Sequence, residues 1–404
     1  MNYQEILDYM YAQLPMYHRI GPAAYKPGLD NTITLLNQVG NPHHGLRCIH
    51  VAGTNGKGST SHLIASVLQE AGFKTGLYTS PHLKDFRERI RINGIMIPAD
   101  EVVQFVETYR NAWEDLKPSF FEITVALCFW YFKKENTDFA VIETGLGGRL
   151  DSTNVITPEI SVITNIGFDH MNLLGDTIEK IASEKAGIIK KNVPVVLGKM
   201  RDDAKQIMQQ KAAFEKAELI DSAQCTDSIA EVPLRGFYQK ENSTTAWCTL
   251  KTLQRKFPIT DTHIHKGFSN VIINTQLMGR WQNLQESPRV MVDVGHNEDG
   301  IRFIVQQLQS ETYNRLHFVL GLAADKDLNH ILRLLPKDAI YYFCKANIPR
   351  GMNATLLAQE AAIHGLNGEV FPTVFDAFQA AKNSADQNDL IFVGGSFFTV
   401  AEVL

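Results

Sequence analysis

The run Ile49-His50-Val51-Ala52-Gly53-Thr54-Asn55-Gly56-Lys57-Gly58-Ser59-Thr60 constrains this chain more than any other feature, because it passes from an apolar strand through a glycine-rich turn into a helix. Glycine lets backbone N–H groups curve around an anion without Cβ clashes, and the helix start adds the positive end of its dipole. The run therefore reads as a phosphate loop, with Gly53, Thr54, Asn55, Gly56, Lys57, Gly58, Ser59 and Thr60 as candidate nucleotide-binding residues. Lys57 would neutralise β/γ-phosphate charge, and the Ser59 or Thr60 hydroxyl would reach Mg²⁺. Gly58 separates Lys57 from Ser59, so the strict pattern GxxxxGK[ST] is not met. The bland alternative is a glycine-rich strand-to-helix turn with no ligand.

Such a loop belongs to a parallel sheet covered by helices, and the rest of the chain alternates accordingly. Strands are expected over 47–52, 138–143, 160–165 and 193–197, with a helix from Ser59 to Ala71 ended by Gly72. Residues 200–260 are more polar and show few recognisable elements. Gln285-Glu286-Ser287-Pro288 is a candidate linker, after which strands are expected over 289–294, 317–320, 339–343 and 390–393. The expected fold class is α/β: a P-loop parallel-sheet ATPase domain over 1–285, then a smaller Rossmann-like α/β domain over 286–404.

The 404 residues and 44% hydrophobic content suffice for two cores. A net charge of −5 excludes a general affinity for nucleic acid or anionic lipid. No run of about 18 apolar residues reads as a membrane span, and the acidic, amphipathic N-terminus is unlike a secretory signal. Five scattered cysteines without CxxC spacing read as buried apolar groups in a reducing compartment. A cytoplasmic, monomeric protein is expected.

Glu143 ends an apolar strand and is followed by Thr144-Gly145-Leu146-Gly147-Gly148-Arg149-Leu150-Asp151. A carboxylate at the C-terminal edge of a parallel strand faces the crevice where such sheets bind ligands, and Mg²⁺ favours hard oxygen donors. His170, after the strand at 160–165, reaches the same rim. Taken alone, Glu143 reads as a capping residue, His170 as a structural histidine and Lys185 as a surface charge.

Together, Gly-Thr-Asn-Gly-Lys-Gly-Ser, the stretch Glu143–Asn154 and Glu184-Lys185-Ala186-Gly187-Ile188 resemble the folylpolyglutamate synthase/dihydrofolate synthase family, relatives of the muramyl-peptide ligases. The resemblance implies ATP and two Mg²⁺ ions, with Ser59, Ser80, Glu143, His170 and Lys185 as metal ligands and Lys185 carbamylated. Burial would favour that modification, because it lowers a lysine pKa. Substrate-side roles are implied for Ser80, Pro81, His82, Phe121, Arg149, Asp151 and His296. Arg87, Arg89 and Arg91 alternate on what reads as an extended segment and would face one side.

Later segments match as well. Leu234–Asn242 implies that Gln239 and Asn242 lie near the adenine, Gly279-Arg280-Trp281-Gln282 that Arg280 contacts phosphate, and Asp293-Val294-Gly295-His296-Asn297 that Asp293 reaches the ribose. Gly321–Asp327 and Gly395-Ser396-Phe397-Phe398 complete the set. Met278, Gly295 and Glu298 depart from the common proline, alanine and proline of the family.

The implied reaction joins L-glutamate to dihydropteroate and to folates. An acceptor carboxylate attacks the γ-phosphate of ATP, and the glutamate amine then attacks the acyl phosphate, with Lys57, His170, Lys185 and Arg280 as catalytic candidates. A folylpolyglutamate synthase alone and a peptidoglycan-precursor ligase are the alternatives. A GTPase reading lacks a base motif such as Asn-Lys-x-Asp.

Overall fold

The computed structural model describes residues 1–16, 21, 28–113, 116–225, 231–324 and 326–404. Two compact units emerge, and Asp325 of the Gly321–Asp327 segment lies outside the described residues.

The first unit is built on β1 (Cys48–Ala52), β2 (Thr75–Tyr78), β3 (Ile90–Ile92), β4 (Ile95–Met96), β5 (Phe139–Glu143), β6 (Ile160–Ile163), β7 (Val195–Leu197) and β8 (Leu219–Asp221). They form one sheet in the order β4-β3-β2-β5-β1-β6-β7-β8. The sheet is parallel except at one edge, where β3 runs antiparallel to β2 and β4 antiparallel to β3. Strands β1, β2, β5, β6 and β7 are buried along their whole length, which is why they read as unbroken apolar runs rather than as alternating ones. Strand β1 lies centrally between β5 and β6. Its C-terminal end, the end of β5 and the end of β6 therefore share one rim, and the phosphate loop, Glu143 and the Thr164–His170 segment all start from it.

Between 200 and 260, where the sequence is least regular, the chain forms helices Asp202–Glu215 and Gln239–Leu253. Both carry many polar residues, and the second is nevertheless largely buried because it packs on the helix that follows the phosphate loop.

The second unit holds β9 (Gln282–Glu286), β10 (Arg289–Asp293), β11 (Leu316–Leu320), β12 (Ile340–Phe343), β13 (Gly368–Val370) and β14 (Leu390–Gly394), in the order β13-β12-β11-β14-β10-β9. Only β9 is antiparallel. The stretch expected as a linker at 285–288 is instead the end of β9 and the Ser287-Pro288 turn of the β9–β10 hairpin, because Arg289 pairs with Glu286 and Val290 with Gln285. The compact units divide between Leu277 and Met278, and Leu234–Tyr238 joins the second unit although the residues on either side belong to the first.

The five cysteines are free, and four of them are buried. Among the described residues no helix is long and apolar enough to cross a membrane.

Candidate active site

The phosphate loop is held open from below. Gly56 caps the helix Lys57–Glu70 at φ 82°, a left-handed conformation that favours glycine. A Cβ there would lie 2.1 Å from Asn242 Oδ1, and one on Gly53 would lie 1.9 Å from Thr164 Oγ1. Neighbouring side chains thus occupy the space that a side chain on either glycine would need. Asn165 Oδ1 accepts the Asn55 N–H at 2.7 Å, Thr164 Oγ1 donates to the Asn55 carbonyl at 2.6 Å, and Thr54 Oγ1 donates to the Gly167 carbonyl at 3.1 Å. The loop is therefore clamped by the residues that follow β6. Thr164 escaped the sequence reading, although its place at the end of a strand beside β1 was the available signal.

Two amines converge on one carbonyl. Lys57 Nζ donates to Gly53 O and Thr54 O at 3.1 Å each, and Lys185 Nζ donates to Gly53 O at 2.9 Å. Lys185 sits in the last turn of the helix Ile178–Ala186 and is 4% exposed. Burial, then the neighbouring Lys57 charge, bring its amine down to about 7, against a smaller opposing pull from Asp169 and Asp151. The surface-charge alternative for Lys185 is therefore excluded.

Gln239 and Asn242 lie against the same helix. Gln239 Nε2 donates to Ser59 Oγ at 3.1 Å, and Asn242 Nδ2 donates to Gln239 Oε1 at 2.9 Å. Both side chains are buried. The Thr60 hydroxyl, also buried, has no partner among the described residues.

Glu143 is buried at the end of β5, where its Oε2 accepts the Ser80 N–H at 3.1 Å. Thr144 Oγ1 beside it is buried and has no partner among the described residues. His170 stands at φ 50° ahead of a short helix, its N–H donating to Asp169 Oδ1 at 2.9 Å. Among the described residues no three His, Cys, Asp or Glu side chains gather as a metal cluster. The donors at the rim instead include the Glu143 carboxylate, the His170 imidazole and several hydroxyls. That set fits Mg²⁺, which keeps waters and takes phosphate oxygens, better than a metal requiring an all-protein cage.

The loop after Glu143 is bound on both sides. Asp151 Oδ2 accepts the N–H groups of Gly145 and Leu146 at 2.8 Å each. Burial raises the Asp151 carboxyl against the pull of these hydrogen bonds. A Cβ on Gly145 would meet the Phe121 ring at 2.4 Å, and one on Gly148 would meet Lys185 Cα at 3.0 Å. Arg149 pairs with Glu184 at 2.8 Å while remaining more than half exposed.

The arginine segment differs from its expected form. Phe86–Arg89 is a 3₁₀ turn, capped by Asp85, and only Arg91 lies in a strand, so the three side chains do not share one face. Arg87 pairs with Asp85 at 2.6 Å. Arg91 donates to Gln276 Oε1 at 3.2 Å. Arg89 is buried, its guanidinium 5.5 Å from the Phe120 ring centre and its Nε donating to His82 Nδ1 at 2.8 Å. Burial and Arg89 together push His82 down to about 3. His82 is thus a neutral acceptor, and Pro81 precedes it after a cis Ser80–Pro81 bond.

In the second unit, Asp293 accepts from Trp281 N–H and Gly295 N–H at 2.8 Å each and from the Tyr238 hydroxyl at 2.5 Å. Arg280 lies 5.0 Å from the Phe397 ring centre, and His296 meets the same ring edge-on at 5.8 Å. The sequence reading assigned no role to Tyr238 or Phe397, because each depends on a partner distant in the chain. The departures are accommodated locally. Gly295 packs against Ile304 Cδ1, which a Cβ would meet at 2.7 Å. Glu298 takes the first position of its helix, as proline often does, and suits the helix dipole there.

This arrangement has known relatives. A family model described as the Mur ligase middle domain matches residues 51–284, and one described as the Mur ligase, glutamate ligase domain matches 279–397. The dihydrofolate synthase/folylpolyglutamate synthase of Bacillus subtilis is 32% identical over 94% of this chain and 94% of its own length. The chain belongs to the dihydrofolate synthase/folylpolyglutamate synthase family of Mur ligases. Membership carries the reaction class with it, ATP-dependent ligation. The probable bifunctional folylpolyglutamate synthase/dihydropteroate synthase of Haloferax volcanii is 33% identical over 93% of this chain, which spans 48% of that relative. Among solved structures of the family, Escherichia coli FolC in complex with DHPP and ADP has a TM-score of 0.88 at 29% identity, covering 100% of this chain and 97% of its own. A bifunctional folylpolyglutamate synthase/dihydrofolate synthase with Mn, AMPPNP and L-glutamate bound has a TM-score of 0.85 at 29% identity, with coverages of 100% and 97%. ATP and a divalent metal are therefore the cofactors of this family site.

Proposed function

We propose that this chain ligates L-glutamate to dihydropteroate and to tetrahydrofolate-type acceptors through an acyl phosphate. The observation that carries this reading is the convergence of Lys57 and Lys185 on the Gly53 carbonyl within a loop clamped for phosphate. In this reading Gly53–Thr60 wrap the phosphates of ATP, and Lys57 turns from the loop carbonyls to the γ-phosphate. Gln239 and Asn242 lie on the base side. Arg280 supplies positive charge at the transferred phosphoryl group, Asp293 faces the ribose, and His296 is substrate-side.

Ser59, Ser80, Glu143, His170 and Lys185 would hold two Mg²⁺ ions. Bound Mg²⁺ would screen the repulsion between the acceptor carboxylate and the γ-phosphate. Lys185 acts there as a carbamate: its neutral amine adds CO₂, loses a proton and becomes an anionic oxygen donor. The low proton affinity of the buried amine supports this step. Ser80, Pro81, His82, Phe121, Arg149 and Asp151 border the acceptor. The carboxylate attacks the γ-phosphorus and ADP leaves; the glutamate amine then attacks the acyl-phosphate carbonyl, gives up a proton, and inorganic phosphate leaves. We assign the first unit to ATP binding and the second to glutamate ligation, with the boundary between Leu277 and Met278 rather than at 285/286, and infer a cytoplasmic monomer that takes only small-molecule substrates.

Phosphate release from Mg-ATP with L-glutamate, measured separately with dihydropteroate and with tetrahydrofolate, tests the reading. Release with both is expected. Release with tetrahydrofolate alone narrows it to chain extension, and release with neither removes folates as substrates.

A further inference from the structure

A directional hydrogen-bond chain runs from the middle of β1 to the loop behind Glu143. His50 Nε2 lies 2.8 Å from Thr153 Oγ1, and the Thr153 hydroxyl hydrogen-bonds Asp151 Oδ1. Asp151 Oδ1 also accepts the Thr153 N–H at 3.0 Å, while Oδ2 takes Gly145 and Leu146. All three side chains are buried.

The direction of the chain follows from proton counting. Asp151 meets three backbone N–H groups and one hydroxyl, so it serves as an acceptor-only carboxylate. The single Thr153 hydroxyl proton is therefore spent on Asp151, and Thr153 Oγ1 must accept from His50 Nε2–H. This assigns the Nε2–H tautomer to His50 and leaves Nδ1 a bare acceptor. Nδ1 is indeed buried without a partner among the described residues. Burial also pushes His50 down to about 3, which keeps the ring neutral.

The loop at the far end of this chain has no slack. Gly145 lies under the Phe121 ring and Gly148 against the backbone of Lys185. Rotation of the Asp151 carboxylate would release two N–H groups and shift the only covalent path between Glu143 and Gly148. The side chains of His50 and Thr153 set that carboxylate from the side remote from the loop.

We propose that His50 and Thr153 are positioning residues for ligation, acting through Asp151 to hold the Gly145–Gly148 loop at the spacing that the acceptor and Glu143 require. The proposal rests on the ligase reading above. Thr153→Val deletes the hydroxyl at nearly constant volume and is expected to lower kcat by about tenfold or more, because small misplacements of reacting groups are costly. The KM for ATP should stay within about twofold, since the phosphate loop is clamped by separate partners. Thr153→Ser should restore kcat. His50→Leu should behave like the valine variant, whereas His50→Gln, which presents an amide N–H near the Nε2 position, should retain most activity.

Unchanged kcat in both Thr153→Val and His50→Leu would overturn the proposal, as would a parallel rise in the KM for ATP, the mark of general loosening. Nitrogen-15 NMR of the wild-type imidazole needs no variant to fold. An Nε2–H tautomer is expected, and an Nδ1–H tautomer would overturn the relay. Absence of turnover in the wild type would sink the ligase reading itself, whereas wild-type turnover with unaffected variants sinks only the relay.

Discussion

The amine of Lys185 donates a 2.9 Å hydrogen bond to the carbonyl of Gly53, a residue 132 positions away at the start of the phosphate loop. A lysine so deeply buried is held where the charged form is disfavoured, and the bond ties the helix Ile178–Ala186 to the nucleotide end of β1. If the nitrogen serves as the carbamate-bearing atom, Lys185→Ala should reduce ligation at least about a hundredfold, as loss of an electrostatic catalytic group does. Acetate or propionate should restore part of the rate. Phosphate-release kinetics with and without the added acid check this, and a fully active alanine variant would refute the assignment.

The same lysine sets a pH dependence of stability. Its folded value is about 7 against an ordinary 10.5, so between those limits the unfolded chain carries a proton that the folded chain does not. In CO₂-free buffer its contribution to stability should rise from pH 7 to about 10.5 and be lost as pH falls through that window. Urea titrations of the wild type and of Lys185→Met should diverge in slope across this range.

His82 titrates in the acid range. Burial, then the Arg89 charge, keep it neutral down to about 3, whereas an exposed histidine charges near 6.5. Stability present above pH 6.5 should be lost progressively as pH falls toward 3, by up to about 1.4 kcal/mol per pH unit for one proton. His82→Asn retains an acceptor near Nδ1 and cannot be charged, so the acid limb of its stability profile should be shallower. An identical limb would show that His82 does not contribute.

Asp293 serves three donors within the second unit, and Tyr238 is the one that can be deleted without touching the backbone. Tyr238→Phe should cost roughly 1.5–3 kcal/mol, the range for a hydrogen bond to a charged group. Chemical denaturation followed by Trp281 fluorescence would measure it. A loss below about 0.5 kcal/mol would mean that the carboxylate is satisfied by the two N–H groups alone.

Gly56→Ala places a methyl group 2.1 Å from Asn242 Oδ1 at a φ of 82°. The loop must move away from Asn242, and the KM for ATP should rise by about tenfold or more, equivalent to at least about 1.4 kcal/mol of lost binding. Isothermal titration with a non-hydrolysable ATP analogue gives the same quantity directly. Unaltered affinity would show that the loop relaxes without cost.

Much of the site was legible because its signals are local. The strand, glycines and helix of the phosphate loop occupy twelve consecutive residues, Ile49 to Thr60, and each constrains the backbone of its neighbours. Glu143 was identified by the apolar strand before it and the glycines after it, and the order of the later motifs pointed to the family. The arginine segment misled because alternation suggests a strand, whereas Glu88 accepts the N–H groups of Leu83, Lys84 and Asp85 and winds the chain into a turn. The stretch at 285–288 misled for the opposite reason: proline and polar residues mark both linkers and hairpin turns such as Ser287-Pro288, and the strand pairing on either side distinguishes them.

By itself, the sequence determined the central strands of both units, their order along the chain and the phosphate loop and Glu143 at the ends of their strands, since backbone constraint and hydrophobic periodicity act between near neighbours. Tertiary structure alone decided that Asn242 occupies the space beside Gly56, that Lys185 meets Gly53, that Tyr238 is bound to Asp293, and that His50 connects to Asp151 through Thr153. Those pairings depend on which strands lie side by side in the sheet. Strand order is set by burial over the whole unit, where most buried polar atoms find a partner, often a hundred or more residues away.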